Sequence, residues 1–169
     1  MMKTPPNNLL EVFNETVLAC YATEKKFIKL FEQFSDLALT DELRSFLSPA
    51  RNELQQHIDR LAQVLKSLKL RPHRISTPSD EALLTLGKEV CGYKKQQSRY
   101  KDVQILHAAK LITYHKIALY GSMEQMAAAL SMEDAASLLG QSMEDNRNAG
   151  AYFMQIEQNI LYPAVVKGA

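Results

Sequence analysis

Apolar residues recur at steps of three and four along four long stretches of this chain, and no stretch sustains the alternation of a strand. The first face runs Leu10, Phe13, Val17, Cys20 or Tyr21, Phe27 or Ile28, Phe31 and Phe34, which predicts a helix to about Asp36 capped by Asn7 or Asn8. A second helix starts at Thr40 or Asp41 and continues to about Leu70, burying Leu43, Phe46, Ala50, Leu54, Leu61, Val64 and Leu68. Ser48-Pro49 inside it reads as an N-cap followed by a proline, so a kink or restart is expected there. The turn-rich RPHRISTP leads to a shorter helix over about 79–95, opened by Thr77 with Asp80. A further long helix spans about Tyr100 to Leu130, and Ser131 with Asp134 opens a last one ending near Tyr162-Pro163. These elements predict an all-α fold in a single domain, 1–169: an antiparallel four-helix bundle with one short additional crossover helix.

Each long stripe is broken near its middle by a polar residue. Glu24 stands where the first stripe calls for an apolar side chain, and Glu53 and His57 lie on or beside the second. Lys116 sits on the face formed by Ile105, Ala109, Ile112, Tyr120, Met123 and Ala127, and Asn146 interrupts Ala135, Leu139, Met143, Gly150 and Phe153. A carboxylate in an apolar stripe costs several kcal/mol unless a cation, a metal or a proton compensates it. Four interruptions at similar depth predict a polar belt across the bundle core, the geometry on which helical bundles build carboxylate-bridged dimetal sites.

The bulk composition narrows the partners. A chain of 169 residues is long enough to bury roughly 70% of its unfolded surface. Twenty basic against nineteen acidic residues argue against a strong non-specific grip on nucleic acid or an anionic membrane. No apolar run reaches the length of about 18 residues that a membrane-spanning helix needs, and MMKTPPNN does not read as a secretory signal. Cys20 and Cys91 form no CxxC pair or disulfide framework, so a reduced cytoplasm is the expected compartment. Leu106, Leu111, Ile117, Ala118 and Leu119 lie off the main stripe of their helix. A helix apolar nearly all round is buried on more than one side, which predicts a twofold homodimer. Arg71, His73 and Arg74, like Lys94, Lys95, Arg99 and Lys101, read as solvated charge. His107 and His115 read as surface or interface groups, and Tyr21, Tyr114 and Tyr120 as core or interface residues.

Four segments carry a family resemblance: CYATEKKF around Glu24, NELQQHIDRLAQVL around Glu53, DVQILHAAKLITYHKIALYG from Asp102 to Gly121, and LLGQSMEDNR from Leu138 to Arg147. Over nearly its whole length the chain resembles the ferritin-like family of small bacterial stress-associated proteins typified by YciE and YciF. The resemblance implies a ferritin-like fold, a rubrerythrin-like dimetal site between the helices and dimer formation, and it points to no particular reaction. Glu24 and Glu53 fall on family carboxylate positions. Thr113 and Lys116 stand at two family glutamates, Asp145 and Asn146 at a Glu-Glu pair, Gly150 at a later aspartate and Ala50 at a histidine.

Those departures divide the functional readings. A dimetal centre takes roughly four carboxylates and one or two imidazoles. Here the candidate ligands are Glu24, Glu53 and His57, and Lys116 would place an ammonium among them. The preferred expectation is a core polar belt of Lys116, Asn146 and Thr113 with the acids, holding no metal, its small residual negative charge met by a proton. Such a protein would be non-enzymatic, with a structural or partner-binding role in stress physiology, its protein partner unidentified. The alternative is an iron- or manganese-dependent oxidoreductase, peroxide-scavenging or iron-oxidising, that keeps a modified site.

Overall fold

The structure, a computed structural model, describes residues 5–51, 53–92 and 97–168. Lys94 and Lys95 of the second basic cluster lie outside them. Helix α1 (Leu9–Leu37) begins where the Asn8 side chain accepts the Glu11 amide at 2.9 Å, while the Glu11 carboxylate accepts the Asn7 amide. The first bond satisfies an amide that the first helical turn leaves without a partner, and the second ties Asn7, just outside the helix, to that turn. Helix α4 (Pro78–Gly92) opens at Thr77, whose hydroxyl accepts the Asp80 amide, and α5 (Arg99–Ala129) opens at Ser98, which accepts the Lys101 amide.

The second long helix is two helices. Helix α2 (Asp41–Leu47) stops at Ser48, turns occupy 49–51, and α3 (Leu54–Ser67) begins only after Glu53 has adopted a left-handed backbone, φ 53°. The restart therefore falls about five residues later than Ser48-Pro49 places it. The last helix also departs from expectation. Ser131 takes a φ of 58° and Met132 precedes α6 (Glu133–Ile156) without a side-chain cap, so Ser131 with Asp134 forms no capping box. A π-helical turn over Glu157–Leu161 then links α6 to α7 (Tyr162–Lys167).

Two apolar clusters fill the interior. One gathers Phe27, Phe31 and Phe34 of α1, Leu54 of α3, Ile105 and Ile112 of α5, and Phe153 of α6. The other gathers Phe13 and Val17 of α1, Leu61 and Val64 of α3, Tyr120 and Met123 of α5, and Leu139 of α6. The chain passes from the second cluster to the first along α1 and α6, and from the first to the second along α3 and α5. Helices α3 and α5 therefore run the same way. A connection between two helices that run the same way must travel the length of the bundle, and α4 makes that crossover against α1 and α5. Gly87 allows the approach, because a β-carbon there would collide with Leu30 Cδ2 of α1. The architecture is the all-α, ferritin-like antiparallel bundle with one short crossover helix, and no strand occurs among the described residues.

Of the off-stripe apolar positions on α5, Leu106 is inside the first cluster, Ile117 and Leu119 are half-buried, and Leu111 and Ala118 are exposed. The buried face of α5 is wide only up to Thr113; beyond it a narrow line of Lys116, Tyr120, Met123 and Ala127 stays inside.

Candidate polar belt between the two clusters

Glu24, His57, Lys116, Thr113 and Asn146 are all buried in the layer separating the two apolar clusters. Glu24 is 1% exposed and Lys116 3% exposed. The Lys116 ammonium lies 3.0 Å from Glu24 Oε2, and the Tyr120 hydroxyl donates to Glu24 Oε1 at 2.8 Å. Burial, with the neighbouring Cys20 and Glu24, pushes the Tyr120 phenol far above its usual range, so it remains a donor. Burial and Glu24 push the Cys20 thiol up in the same way, leaving it protonated.

Lys116 also reaches the imidazole, with Nζ 3.2 Å from His57 Nδ1. An ammonium carries only donors, so Nδ1 must accept and the proton of a neutral imidazole must sit on Nε2. That nitrogen faces Asp145 Oδ2 at 3.4 Å. Burial lowers the proton affinity of His57 and the Lys116 charge lowers it further, which agrees with the neutral form. The Asp145 carboxylate is held down to about 2, chiefly by His57 and by Arg60, whose guanidinium donates to Oδ2 at 2.5 Å and to Ser142 Oγ at 3.1 Å.

The charges cancel within this layer: Glu24 against Lys116, Asp145 against Arg60, and His57 neutral. Sequence patterning leads to a small residual negative charge instead. The difference comes from Glu53, which does not enter the belt. Its left-handed backbone rotates it out of the phase of α3, and its exposed side chain lines a surface cleft with Arg51, Asp145 and Tyr152. Asn146 also differs in detail, since its amide donates to the Ser142 carbonyl of its own helix at 2.7 Å rather than to Glu24.

Arg60 and Ser142 are belt members that the apolar stripes do not reveal: Arg60 enters by side-chain reach, and Ser142 occupies the buried face of α6 between Leu139 and Asn146, where Met143 is counted from the sequence. Asp145 carries the signal of its family position, and Tyr120 hides as an ordinary stripe residue.

The donor set fits a dimetal centre poorly. A metal ion bound to Glu24 or His57 would meet the Lys116 ammonium within hydrogen-bonding distance of the same atoms. Among the described residues, no three His, Cys, Asp or Glu side chains gather closely enough to hold a metal ion.

A second polar cluster joins the crossover helix to the bundle. Buried Asp80 of α4 accepts the Thr23 hydroxyl at 3.1 Å and contacts His115 Nε2 at 2.9 Å. Hydrogen bonds from His115, Thr77 and Thr23 outweigh burial and keep this carboxyl below its usual range. His115 is therefore an α4–α5 bridge rather than a free surface group.

Residues 8–162 match the family described as a domain of unknown function, DUF892. Protein YciF of Escherichia coli K12 is 23% identical over 147 residues, 86% of each chain. Among solved structures, YcfI from Rhodopseudomonas palustris aligns with a TM-score of 0.82 at 21% identity, covering 90% of this chain and 97% of that one. The crystal structure of the E. coli stress protein YciF gives 0.82 at 21% identity, covering 89% and 95%. Identity at this level shows a shared fold. No described helix is long and apolar enough to cross a membrane.

Proposed function

The chain belongs to the DUF892 family, with YciF-like relatives, and on that premise we propose that it is a non-enzymatic, cytoplasmic stress-associated bundle whose ancestral dimetal site has become an ion-pair and hydrogen-bond belt. The observation that carries this reading is the Lys116 ammonium 3.0 Å from Glu24 Oε2. A cation supplied by the chain does what a bound metal would otherwise do for that carboxylate, so the belt needs no metal to be neutral. No cofactor is assigned.

The test is metal stoichiometry of protein purified without chelator and offered iron and manganese. The parent should bind close to none. Lys116→Glu combined with Asn146→Glu replaces a cation and an amide by two acids near Glu24 and His57, and should gain binding that a chelator reverses. Close to two ions per parent chain would make the belt a working metal site and overturn this reading in favour of the alternative, an iron- or manganese-dependent oxidoreductase.

The protein's partner in this reading is a second copy of itself. Leu111 and Tyr114 of α5 and Met154 of α6 are exposed, and the Tyr114 hydroxyl donates to the Met154 sulfur at 3.4 Å, making one apolar patch across two helices. Light scattering at micromolar concentration should give twice the chain mass, and a monomeric mass would reject the dimer.

A further inference from the structure

The link between α3 and α4 builds a cleft that contains none of the belt residues. Ile75 packs against the second apolar cluster beside Tyr21 and fastens the 71–77 segment over the outer face of α1. The resulting space of about 750 Å³ is lined on its polar side by Tyr21, Lys25, Lys26, His73, Arg74 and Ser76, and no acidic residue lines it. For a chain of net charge +1, that is a local concentration of cations.

Their partners decide which of them are free to bind a ligand. Lys26 is committed to Glu81 at 3.2 Å. Lys25 has its ammonium 4.3 Å from the centre of the Tyr21 ring rather than on a carboxylate. Arg74 is exposed and makes no ion pair among the described residues. A guanidinium and an ammonium facing one space suit the oxygens of a phosphate, with Arg as the bidentate fork. The volume lies within the range of about 300–1,000 Å³ usual for small-molecule sites and far exceeds a lone phosphate. Tyr21 and Ile75 supply apolar surface for the remainder of such a molecule.

We propose that this cleft binds a small phosphate ester, its phosphate held by Arg74 and Lys25 and its organic part against Tyr21. Nucleic acid fits less well, because twenty basic residues are balanced by nineteen acidic ones in the chain.

Calorimetric titration at low ionic strength with adenosine monophosphate, glucose 6-phosphate and inorganic phosphate tests the assignment. At least one ester should saturate a single site per chain, about tenfold tighter than inorganic phosphate. Arg74→Ala and Lys25→Met should each weaken it about fivefold or more while leaving helix content unchanged, since both side chains are exposed. Arg147→Ala, which removes a guanidinium already 3.6 Å from Glu144 on α6, should bind as the parent does. Tighter adenosine monophosphate would identify a base stacked at Tyr21, and tighter glucose 6-phosphate a sugar phosphate. The proposal is overturned if neither ester saturates up to about 10 mM, if inorganic phosphate binds equally well, or if the Arg74 and Lys25 variants match the parent.

Discussion

Lys116→Met is expected to destabilise the fold by about 3–5 kcal/mol at pH 8, the usual cost of leaving one member of a buried ion pair behind. Glu24 would keep the Tyr120 hydroxyl at 2.8 Å but lose its nearest cation. The loss should also depend on pH, and with opposite sign to the parent. In the parent, burial and Lys116 press His57 below its ordinary 6.5, so its contribution is complete above that pH and falls away as the solution is acidified. Without Lys116, His57 stands 3.8 Å from an unpaired Glu24, with Asp145 at 3.4 Å on its other nitrogen. Its proton affinity should then rise above the unfolded value. A raised imidazole stabilises below the unfolded 6.5 and loses that effect as pH climbs through the folded value. Urea denaturation at pH 5.5 and pH 8 should therefore find the deficit smaller in acid, and Glu24→Gln in the same chain should recover most of it. Equal stability of parent and variant at both pH values would remove the ion pair from any account of this core.

Asp102→Ala should be nearly as damaging, although Asp102 lies in the first turn of α5, where an acid reads as ordinary N-terminal charge. Its fully buried carboxylate accepts the Leu39 and Thr40 amides, each at 2.8 Å, and the Thr40 hydroxyl. It thus caps the start of α2 from across the bundle while sitting at the positive end of its own helix. Hydrogen bonds to a charged group contribute about 1.5–3 kcal/mol each, so removing two with their amides left poorly solvated should cost about 3 kcal/mol or more. That corresponds to a fall of roughly 6–12 °C in Tm for a chain of this size. Asn8→Ala removes a solvent-exposed cap and should cost only about 1 kcal/mol. Equal effects of the two substitutions in thermal unfolding would contradict the cross-bundle cap.

Helical periodicity carries most of this molecule because four long amphipathic faces have one compact way to bury themselves, with a short crossover between two of them. It also finds Glu24, His57, Lys116 and Asn146, since a polar side chain on an apolar stripe has nowhere to go but inward; Thr113 enters through its family position instead. Periodicity fails where the phase breaks. Glu53 is counted from α2 as though the helix were continuous, and one left-handed residue turns it to the surface. It is silent for Arg60 and Asp145, which reach the belt from positions beside the stripe, and for Ser142, whose place on the inner face of α6 goes to apolar Met143 in the sequence pattern. Asp80 and Asp102 are invisible to it for another reason: helix openings attract acids for local capping, and sequence does not reveal that these two also bind a second helix. The π-helical turn after Ile156 leaves no mark in the apolar spacing before it.

The belt's position between the apolar clusters bears on how the helices settle their axial register. Greasy faces tolerate sliding, because one turn of α5 past α1 moves about 5.4 Å and exchanges one aliphatic neighbour for another. Lys116 has no such freedom. A one-turn slip would carry its ammonium away from Glu24 and His57 and set it against Phe27 or Cys20, stranding two charges in the dry interior. The staggered packings that apolar contacts alone would leave close in energy are thereby separated from the native one. The layer that adds least to net stability is the one that makes the alignment of these helices single-valued.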